Sequence, residues 1–321
     1  MVPALAVVLC VTQVACTIDA LGLGGNAAST LPAVSRVVVV SIDGLRGDAV
    51  AQMPSLDALR SRAAWTDSMQ TVVPSLTVPG HLSMFTGRDV TGLGVNTNTL
   101  DQSAGLALAL NGATSMFQWV KDDGRRSAAL IASSLVPASD LATAEGFFGI
   151  SQVMTASADL TSLRADAIAA ATASDPPALL FVHIPTVDFA GHDFGWVRTD
   201  VAGANGADIL GGQYVEAARA ADAVINDIWI ALRPAIENGD VALIITADHG
   251  GGHGEHCVHD MPASREHCTS QPGDRTIPFL LIARGVPSGR LTGQPTIMQV
   301  APTVGRLLRV AVPSRAGAPI Q

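Results

Sequence analysis

Three acidic motifs in the sequence each follow a run of apolar residues. The motifs are Ser41-Ile42-Asp43-Gly44, the stretch HIPTVDFAGH from His183 to His192, and Thr246-Ala247-Asp248-His249-Gly250-Gly251. A single Asp in such a place is commonly a turn residue. Here there are three, two of them with a His close behind, and carboxylate with imidazole is the ligand mix that zinc prefers. Two metal ions about 4 Å apart would hold the attacking and leaving oxygens of a phosphoryl displacement. The motifs therefore predict a metal-assisted phosphoryl-transfer centre.

A hydroxyl nucleophile is offered by the segment PSLTVPGHLSMFTG, residues 74–87. Pro79 fits the first turn of a helix that runs to Thr86, which places Thr77 at the helix N-terminus. The helix dipole and the free N–H groups there favour an anion such as phosphate. A hydroxyl is a weak nucleophile at neutral pH unless a base or a metal activates it, and a metal at the acidic motifs would do so. The alternative is that Ser75 or Thr77 only caps the helix.

The elements that position these motifs follow from the hydrophobic pattern. The β-branched run Arg36–Ile42 is typical of a parallel strand buried on both faces. Further strands are predicted at 127–132, 178–183, 240–246 and 277–283, and helices at 53–62, 114–121, 160–172 and 214–232. This alternation predicts an α/β fold with a mostly parallel central sheet and helices on both faces. Ligands of such sheets bind beyond the carboxyl ends of the strands, which is where the acidic motifs lie.

The composition excludes two classes of protein. With 48% hydrophobic residues in 321, the chain has the apolar mass that disordered chains lack. The formal net charge is −9, and the only Lys is Lys121, so there is no basic stripe to neutralise phosphates. We therefore expect no nucleic-acid-binding surface. Five of the eight His residues fall between His249 and His267, which points again to metal chemistry.

The motifs SIDG, SLTVPGHLSMFTG, PTVDFAGH and TADHGG, in this order, resemble those of the alkaline phosphatase superfamily. They are most similar to its type I phosphodiesterase/nucleotide pyrophosphatase branch. The similarity extends from Val37 to the C-terminus, where the segment 299–308 and then Val312-Pro313 resemble the closing helix and tail of the family. The resemblance implies an alkaline phosphatase-like fold. It also implies a hydrolase that cleaves phosphodiester or pyrophosphate bonds of small phosphate esters through a covalent phosphothreonine intermediate.

The resemblance further implies a pair of Zn²⁺ ions. One would be held by Asp43, Asp248, His249 and the nucleophile Thr77, and the other by Asp188, His192 and a later His. The family spacing from the DHG aspartate falls on His256, which we take as that last ligand, with His253 and His259 as alternatives. We expect His267 to be solvated or packed beneath a disulfide.

Asn98 matches the position of a family Asn that donates a hydrogen bond to a phosphate oxygen, which would stabilise charge in the transition state. The alternative is a simple turn residue. Two positions depart from the family pattern. Gly80 stands where Asn is frequent, and Leu93 stands where His is frequent. Both departures affect the surroundings of Thr77 and leave the metal ligands intact.

Three other functions are weighed against the phosphodiesterase. A phosphomonoesterase must bind one more negative oxygen, which usually needs added cations, and no Arg is obvious beside Thr77. A sulfatase needs Cys or Ser for conversion to formylglycine, whereas Thr77 cannot give an aldehyde and the Arg of the sulfatase motif is absent. A non-catalytic metal-binding exoprotein of this fold would not need an intact nucleophile.

The N-terminus carries an apolar stretch that ends in small residues. It is shorter than the roughly 20 apolar residues that span a bilayer, so we expect no transmembrane helix and interpret residues 1–19 as a signal peptide. Residues 20–34 are then a linker, and residues 35–321 a single catalytic domain. We expect export to the periplasm or the medium. Gln13-Val14-Ala15-Cys16 loosely resembles a lipoprotein processing site, so a lipid anchor is an alternative.

Cys257 and Cys268 form an even pair in the His-rich region. In an oxidising compartment they would close that region as a disulfide. The alternative is a pair of metal-binding thiolates, for which there is less need because His and Asp supply ligands nearby.

Overall fold

The computed structural model describes residues 31–98, 111–136, 145–146, 148–201, 203–254, 257 and 260–320. The predicted signal peptide with Cys10 and Cys16, and most of the predicted linker, lie outside these residues. The described residues form eight strands: β1 Arg36–Ile42, β2 Ala64–Gln70, β3 Ser127–Ile131, β4 Gln152–Thr155, β5 Leu179–Ile184, β6 Val241–Thr246, β7 Thr276–Ile282 and β8 Gly289–Arg290. The α-helices are α1 Pro54–Leu59, α2 Thr77–Thr86, α3 Met116–Asp122, α4 Leu160–Thr172, α5 Thr186–Phe194, α6 Gly212–Asn238, α7 Pro272–Arg275 and α8 Val300–Leu308.

The strands form one sheet in the order β4-β3-β5-β1-β6-β7-β2-β8. Strands β4, β3, β5, β1 and β6 run parallel to one another, whereas β7 is antiparallel to both β6 and β2. The predicted α/β fold with a mostly parallel sheet is confirmed. The register places Ser41 of β1 beside both His183 of β5 and Thr246 of β6. The carboxyl ends of these three strands therefore lie side by side.

The helices pack in two groups that cover the two faces of the sheet. Helix α6 contacts α1, α4 and α5, whereas α8 contacts α2 and α3. Every residue of β5 and β6, and all of β1 except Arg36, is buried, as a central strand covered on both faces requires. No helix in the described part of the chain is both long enough and apolar enough to cross a membrane.

The structure contains elements that the sequence did not predict, among them β2, β4 and α5. Strands β2 and β4 were not predicted, because AWTDSMQ and QVMT are too polar to give a strand signal. The segment after β5, for which no helix was predicted, forms helix α5. Its β-branched, Gly and aromatic residues have modest helix propensity, so packing against α6 decides its conformation.

Candidate active site

The site lies at the carboxyl ends of β1, β5 and β6. Asp43 follows the last residue of β1, and Asp248 and His249 follow β6 after one intervening residue. Asp188 and His192 lie one turn apart on α5 and so share a helix face, with 3.7 Å between Asp188 Oδ1 and His192 Nε2. Gly44 allows α5 to come this close, because a Cβ at this position would lie 2.9 Å from the Asp188 Cα.

A first cluster consists of Asp43, Asp248 and His249, whose ligand atoms all lie within 4.8 Å of one another. His249 Nε2 is 3.2 Å from Asp43 Oδ1 and 3.3 Å from Asp248 Oδ2. Thr77, the first residue of α2, places its Oγ1 3.2 Å from the same nitrogen. All four side chains are buried. The structure thus brings together the residues that the sequence assigned to one metal and its nucleophile.

A second cluster consists of Asp188, His249 and His267. His267 Nε2 lies 3.9 Å from Asp188 Oδ1 and 3.2 Å from His192 Nε2. The His267 and His249 rings stack with centroids 3.8 Å apart, so the two clusters adjoin through His249. Of the two alternatives that the sequence left for His267, solvated or packed beneath a disulfide, the first is wrong, because the side chain is fully buried among the other site residues. Its sequence signal was only its membership of the His-rich region.

The other candidates for the last ligand lie elsewhere or outside the described residues. The ring of His253 contacts Asp274 Oδ1 at 3.2 Å and Asp208 Oδ2 at 3.5 Å, and it belongs to neither cluster. His256 and His259 are outside the described part of the chain. Among the described residues, His267 is therefore the later His that accompanies Asp188 and His192.

The Nδ1 atoms of the three site imidazoles are all bound to backbone carbonyl oxygens. His249 Nδ1 is 2.7 Å from the Gly250 oxygen, His192 Nδ1 is 2.8 Å from the Arg265 oxygen, and His267 Nδ1 is 2.7 Å from the Ser75 oxygen. Since a carbonyl oxygen only accepts, each Nδ1 carries a proton and donates it. Each Nε2 is then left to bind a cation in the site, either a proton or a metal ion.

Three carboxylate oxygens in the site are buried without a hydrogen-bond partner, namely Asp43 Oδ1, Asp188 Oδ1 and Asp248 Oδ2. A buried charge without a partner is costly unless a cation compensates it. These oxygens and the Nε2 atoms of the site imidazoles are close together, and this mix of ligands suits zinc and similar transition metals. The residues present therefore fit a metal centre.

The pKa values in the site reflect this concentration of charge. Burial lowers the pKa of His249, but the carboxylates of Asp248, Asp43 and Asp188 outweigh it and raise the pKa to about 10. Burial and the neighbouring charge of Asp43 raise the pKa of Asp188 well above its ordinary value. Burial, together with His249 and His192, holds the pKa of His267 well below its ordinary value. The carboxylates thus favour the protonated form of His249, whereas burial and the two neighbouring imidazoles favour the neutral form of His267.

Asn98, which the family resemblance implies as a donor to a phosphate oxygen, contacts the N-terminus of α2. Its Oδ1 accepts a hydrogen bond from the Val78 N–H at 3.0 Å. The acceptor end of the amide is therefore used to hold the helix, and the NH2 end is the part that can donate to a ligand. The absence of a side chain at Gly80 has a steric explanation, since a Cβ there would lie 2.7 Å from the Asp248 carbonyl oxygen.

Ser41, His81 and Asp248 have the connectivity of a Ser-His-Asp triad. Ser41 Oγ is 3.0 Å from His81 Nε2, and His81 Nδ1 is 3.2 Å from Asp248 Oδ2. All three side chains are fully buried, and Ser41 lies within β1, so a substrate cannot reach its hydroxyl. His81 also contacts the Thr77 carbonyl oxygen at 2.9 Å. This group holds α2 against the Asp248 loop.

Cys257 and Cys268 form a disulfide, which confirms that prediction and leaves no thiolate there to bind a metal. Cys268 directly follows His267, and its backbone N–H donates to Asp274 Oδ2 at 3.2 Å. The disulfide therefore joins the two ends of the segment that delivers His267 to the site.

The profile of the type I phosphodiesterase / nucleotide pyrophosphatase family matches residues 37–279. Murine ectonucleotide pyrophosphatase/phosphodiesterase 5 has a similar structure, with a TM-score of 0.64 and 16% identity over 88% of this chain and 97% of that one. A lipoteichoic acid synthase from Listeria monocytogenes gives a TM-score of 0.60 and 15% identity over 86% of this chain and 72% of that one. A putative sulfatase from Bacteroides thetaiotaomicron gives a TM-score of 0.63 and 13% identity over 88% of this chain and 73% of that one.

At these identities the structural matches show a shared fold. No curated protein matches the chain. The family profile covers most of the sequence and includes all four motifs of the site. The chain belongs to the type I phosphodiesterase/nucleotide pyrophosphatase family.

Proposed function

We propose that this protein hydrolyses phosphodiester or pyrophosphate bonds of small molecules with Thr77 as the nucleophile. The observation that carries the proposal is the position of Thr77 Oγ1, 3.2 Å from His249 Nε2, where the two clusters adjoin. A hydroxyl there lies beside both candidate metal sites and at the N-terminus of α2, which favours an anionic group.

The residues that would hold the metals are Thr77, Asp43, Asp248 and His249 for one ion, and Asp188, His192 and a later His for the other. We assign this later ligand to His267 because it lies in the second cluster. The family spacing instead predicts His256. Two Zn²⁺ ions bound there would lower the pKa of the Thr77 hydroxyl and stabilise negative charge on the phosphate oxygens.

The chain's own groups account for the remaining steps. The Thr77 oxygen, on losing its proton, forms a bond to phosphorus while the bond to the leaving oxygen breaks. Asn98 donates from its amide NH2 to a phosphate oxygen as charge builds up there. Water then hydrolyses the phosphothreonine, which releases the phosphate product and restores the Thr77 hydroxyl.

A diester or pyrophosphate fits the surroundings of Thr77 better than a monoester does. In the described part of the chain, the side chains of both clusters bind only Asp, His, Ser, Thr and backbone groups, with no Arg or Lys side chain among their partners. A monoester has one more negative oxygen to neutralise. The murine relative was solved as an inactive variant in complex with AMP, which supports trying nucleotide esters first. Phosphomonoester hydrolysis by the same residues is the second candidate.

Thr77→Ala tests the proposal. With zinc present, we expect the wild type to hydrolyse bis-p-nitrophenyl phosphate faster than p-nitrophenyl phosphate. Thr77→Ala should lower turnover by at least about 10³-fold, because Ala cannot form the covalent intermediate. Thr77→Ser keeps a hydroxyl and is the matched control that retains measurable turnover. Full activity of Thr77→Ala would refute the assignment of Thr77 as the nucleophile. A wild type that is inactive on both esters would refute the proposed hydrolase activity.

We also propose that the protein is exported, with residues 1–19 as its signal peptide and residues 35–321 as its catalytic domain. The Cys257–Cys268 disulfide supports an oxidising compartment. Mass spectrometry of the mature protein from its native host tests this, because cleavage after residue 19 and lipidation of Cys16 give different N-termini.

A further inference from the structure

His183 is the first residue of the HIPTVDFAGH stretch, was given no role by the sequence, and is the fifth residue of β5, beside Ser41 of β1. Its side chain is fully buried. Its Nδ1 accepts a hydrogen bond from the backbone N–H of Ala132 at 3.3 Å. Since a backbone N–H only donates, this contact places the ring proton on Nε2. The tautomer of His183 is therefore set by the end of the neighbouring strand β3.

The Nε2 proton of His183 is directed at the first cluster. His183 Nε2 donates to Asp43 Oδ2 at 3.0 Å, and Ser134 Oγ donates to the same oxygen at 3.2 Å. Asp43 Oδ1 has no hydrogen-bond partner and lies 3.2 Å from His249 Nε2. The two oxygens of one carboxylate thus have different roles: one is held by two donors, and the other faces the cluster.

We propose that His183 is a positioning residue that fixes the Asp43 carboxylate so that Oδ1 alone is presented to the metal of the first cluster. The inference rests on the proposed function, because it assumes that this cluster binds a metal. Groups that orient a metal ligand typically contribute about 10- to 100-fold to metal affinity. Without the His183 donor, only the longer Ser134 hydrogen bond holds Oδ2, so the carboxylate rotates more freely about its bond to Cβ and Oδ1 is less firmly directed at the cluster.

The test is a zinc titration of the metal-free protein in competition with a chromogenic chelator. Three forms are compared: wild type, His183→Leu and His183→Gln. Leu has a similar volume but no donor, whereas the Gln amide NH2 reaches about as far as the Nε2–H group. We expect Leu to weaken one of the two zinc sites by about 10- to 100-fold and Gln to restore most of that loss. The second site serves as an internal reference, because the hydrogen bonds of the His183 ring go to Ala132 and to Asp43 of the first cluster.

Co²⁺ substitution adds a readout that general destabilisation would not change. The visible absorption of Co²⁺ reports the geometry of its ligands, so we expect the spectrum of the weakened site to change in His183→Leu and to remain wild-type in His183→Gln. If the Leu variant does not fold, His183→Asn replaces it, because its shorter amide does not reach Asp43.

The outcomes separate the inference from the proposed function. Unchanged zinc binding in His183→Leu, or equal weakening by Leu and Gln, would overturn the role of His183 while the wild type still binds zinc. A wild type that binds no zinc would overturn the proposed function and, with it, this inference.

Discussion

At the scale of single residues, the site depends on imidazoles whose orientation is fixed before any ligand binds. His192, His249 and His267 each donate from Nδ1 to a backbone carbonyl oxygen. Turning the His249 or His267 ring would break a buried hydrogen bond, which costs about 1–3 kcal/mol, and turning the His192 ring would break a partly buried one. The backbone carbonyl oxygens therefore orient the Nε2 atoms into the site, so the nitrogen ligands of a metal ion would be in place before it binds.

The first prediction concerns the identity of the last metal ligand. His267→Ala should lower the zinc content by about one ion per chain and lower turnover by about 10²-fold or more, because His267 Nε2 lies at the second cluster. His253→Ala is the matched control, since the contacts of His253 go to Asp208 and Asp274. Zinc content is measured by elemental analysis after dialysis. Loss of zinc in His256→Ala but not in His267→Ala would contradict the assignment to His267.

The second prediction concerns the phosphate contact of Asn98. Asn98→Ala should lower kcat/KM by about 10²- to 10³-fold, the usual cost of losing one donor to a developing negative charge. The zinc content should not change. Asn98→Asp keeps an oxygen for the Val78 N–H but places a negative charge beside the phosphate, so its loss should be at least as large. Asn96→Ala, an exposed position in the same loop, is the control. Wild-type kcat/KM in Asn98→Ala would make Asn98 a turn residue only.

How far the sequence predicts the site depends on whether neighbours in space are also neighbours in sequence. Asp43, Thr77, Asp188 and the Asp248-His249 pair lie in local motifs with a spacing that can be recognised. His267 does not, because its place depends on the Ser75 carbonyl and on the fold of a disulfide-closed segment. Contacts of that kind are absent from any local pattern.

At the scale of elements, the buried carboxylate of Asp274 on α7 joins the two segments that carry His249 and His267. Its Oδ2 accepts from the backbone N–H of Cys268 and of Thr269, at 3.2 and 3.0 Å, and from the Thr269 hydroxyl. Its Oδ1 accepts from the backbone N–H of His253 at 3.1 Å. One side chain thus satisfies donors from both segments, which hold the stacked His249 and His267 rings.

The third prediction follows from this connection. Asp274→Ala should destabilise the fold by about 3 kcal/mol, because several partly buried donors lose their acceptor at once. The substitution should also weaken zinc binding at the second cluster. Asp274→Asn retains one acceptor oxygen and should fall between Ala and the wild type. The exposed Asp166→Ala on α4 is the control and should change stability by no more than about 0.5 kcal/mol. Urea denaturation measures the free energy of unfolding of each variant. Equal stability of Asp274→Ala and Asp166→Ala would contradict the prediction.

The elements near the site were predicted where their pattern is strong. The central strands β1, β5 and β6 have continuous apolar runs, and their predicted bounds agree with the structure to within one residue. Helix α5 has no such pattern, since Asp188 and His192 face the site where a core helix would carry apolar residues. Its helical conformation therefore comes from its tertiary surroundings. The functional residues themselves weaken the local signal.

At the scale of the whole molecule, the site concentrates negative charge inside a chain that is already acidic. The net charge is −9, and Asp43, Asp188 and Asp248 are all buried around the same small volume. Such an arrangement is destabilising unless cations compensate it. Metal binding to the folded state alone stabilises it by about 2.7 kcal/mol at a free concentration of 100 Kd. The fold and the metal should therefore be strongly coupled.

The last prediction uses that coupling and concerns Asp188→Asn. Burial, with the charge of Asp43, raises the pKa of Asp188 in the folded protein above its unfolded value. The charged carboxylate therefore reduces the stability of the metal-free fold, fully so above the folded pKa and not at all below the unfolded one.

At pH 8 with a chelator, Asp188→Asn should melt a few degrees above the wild type, because the neutral amide has the same shape. With excess zinc the order should reverse, because the wild type gains roughly 2 °C in Tm for each kcal/mol of metal binding and the variant loses a ligand. Scanning calorimetry in both buffers measures the two differences. If the variant melts below the wild type in chelator as well, the buried carboxylate is already compensated within the protein.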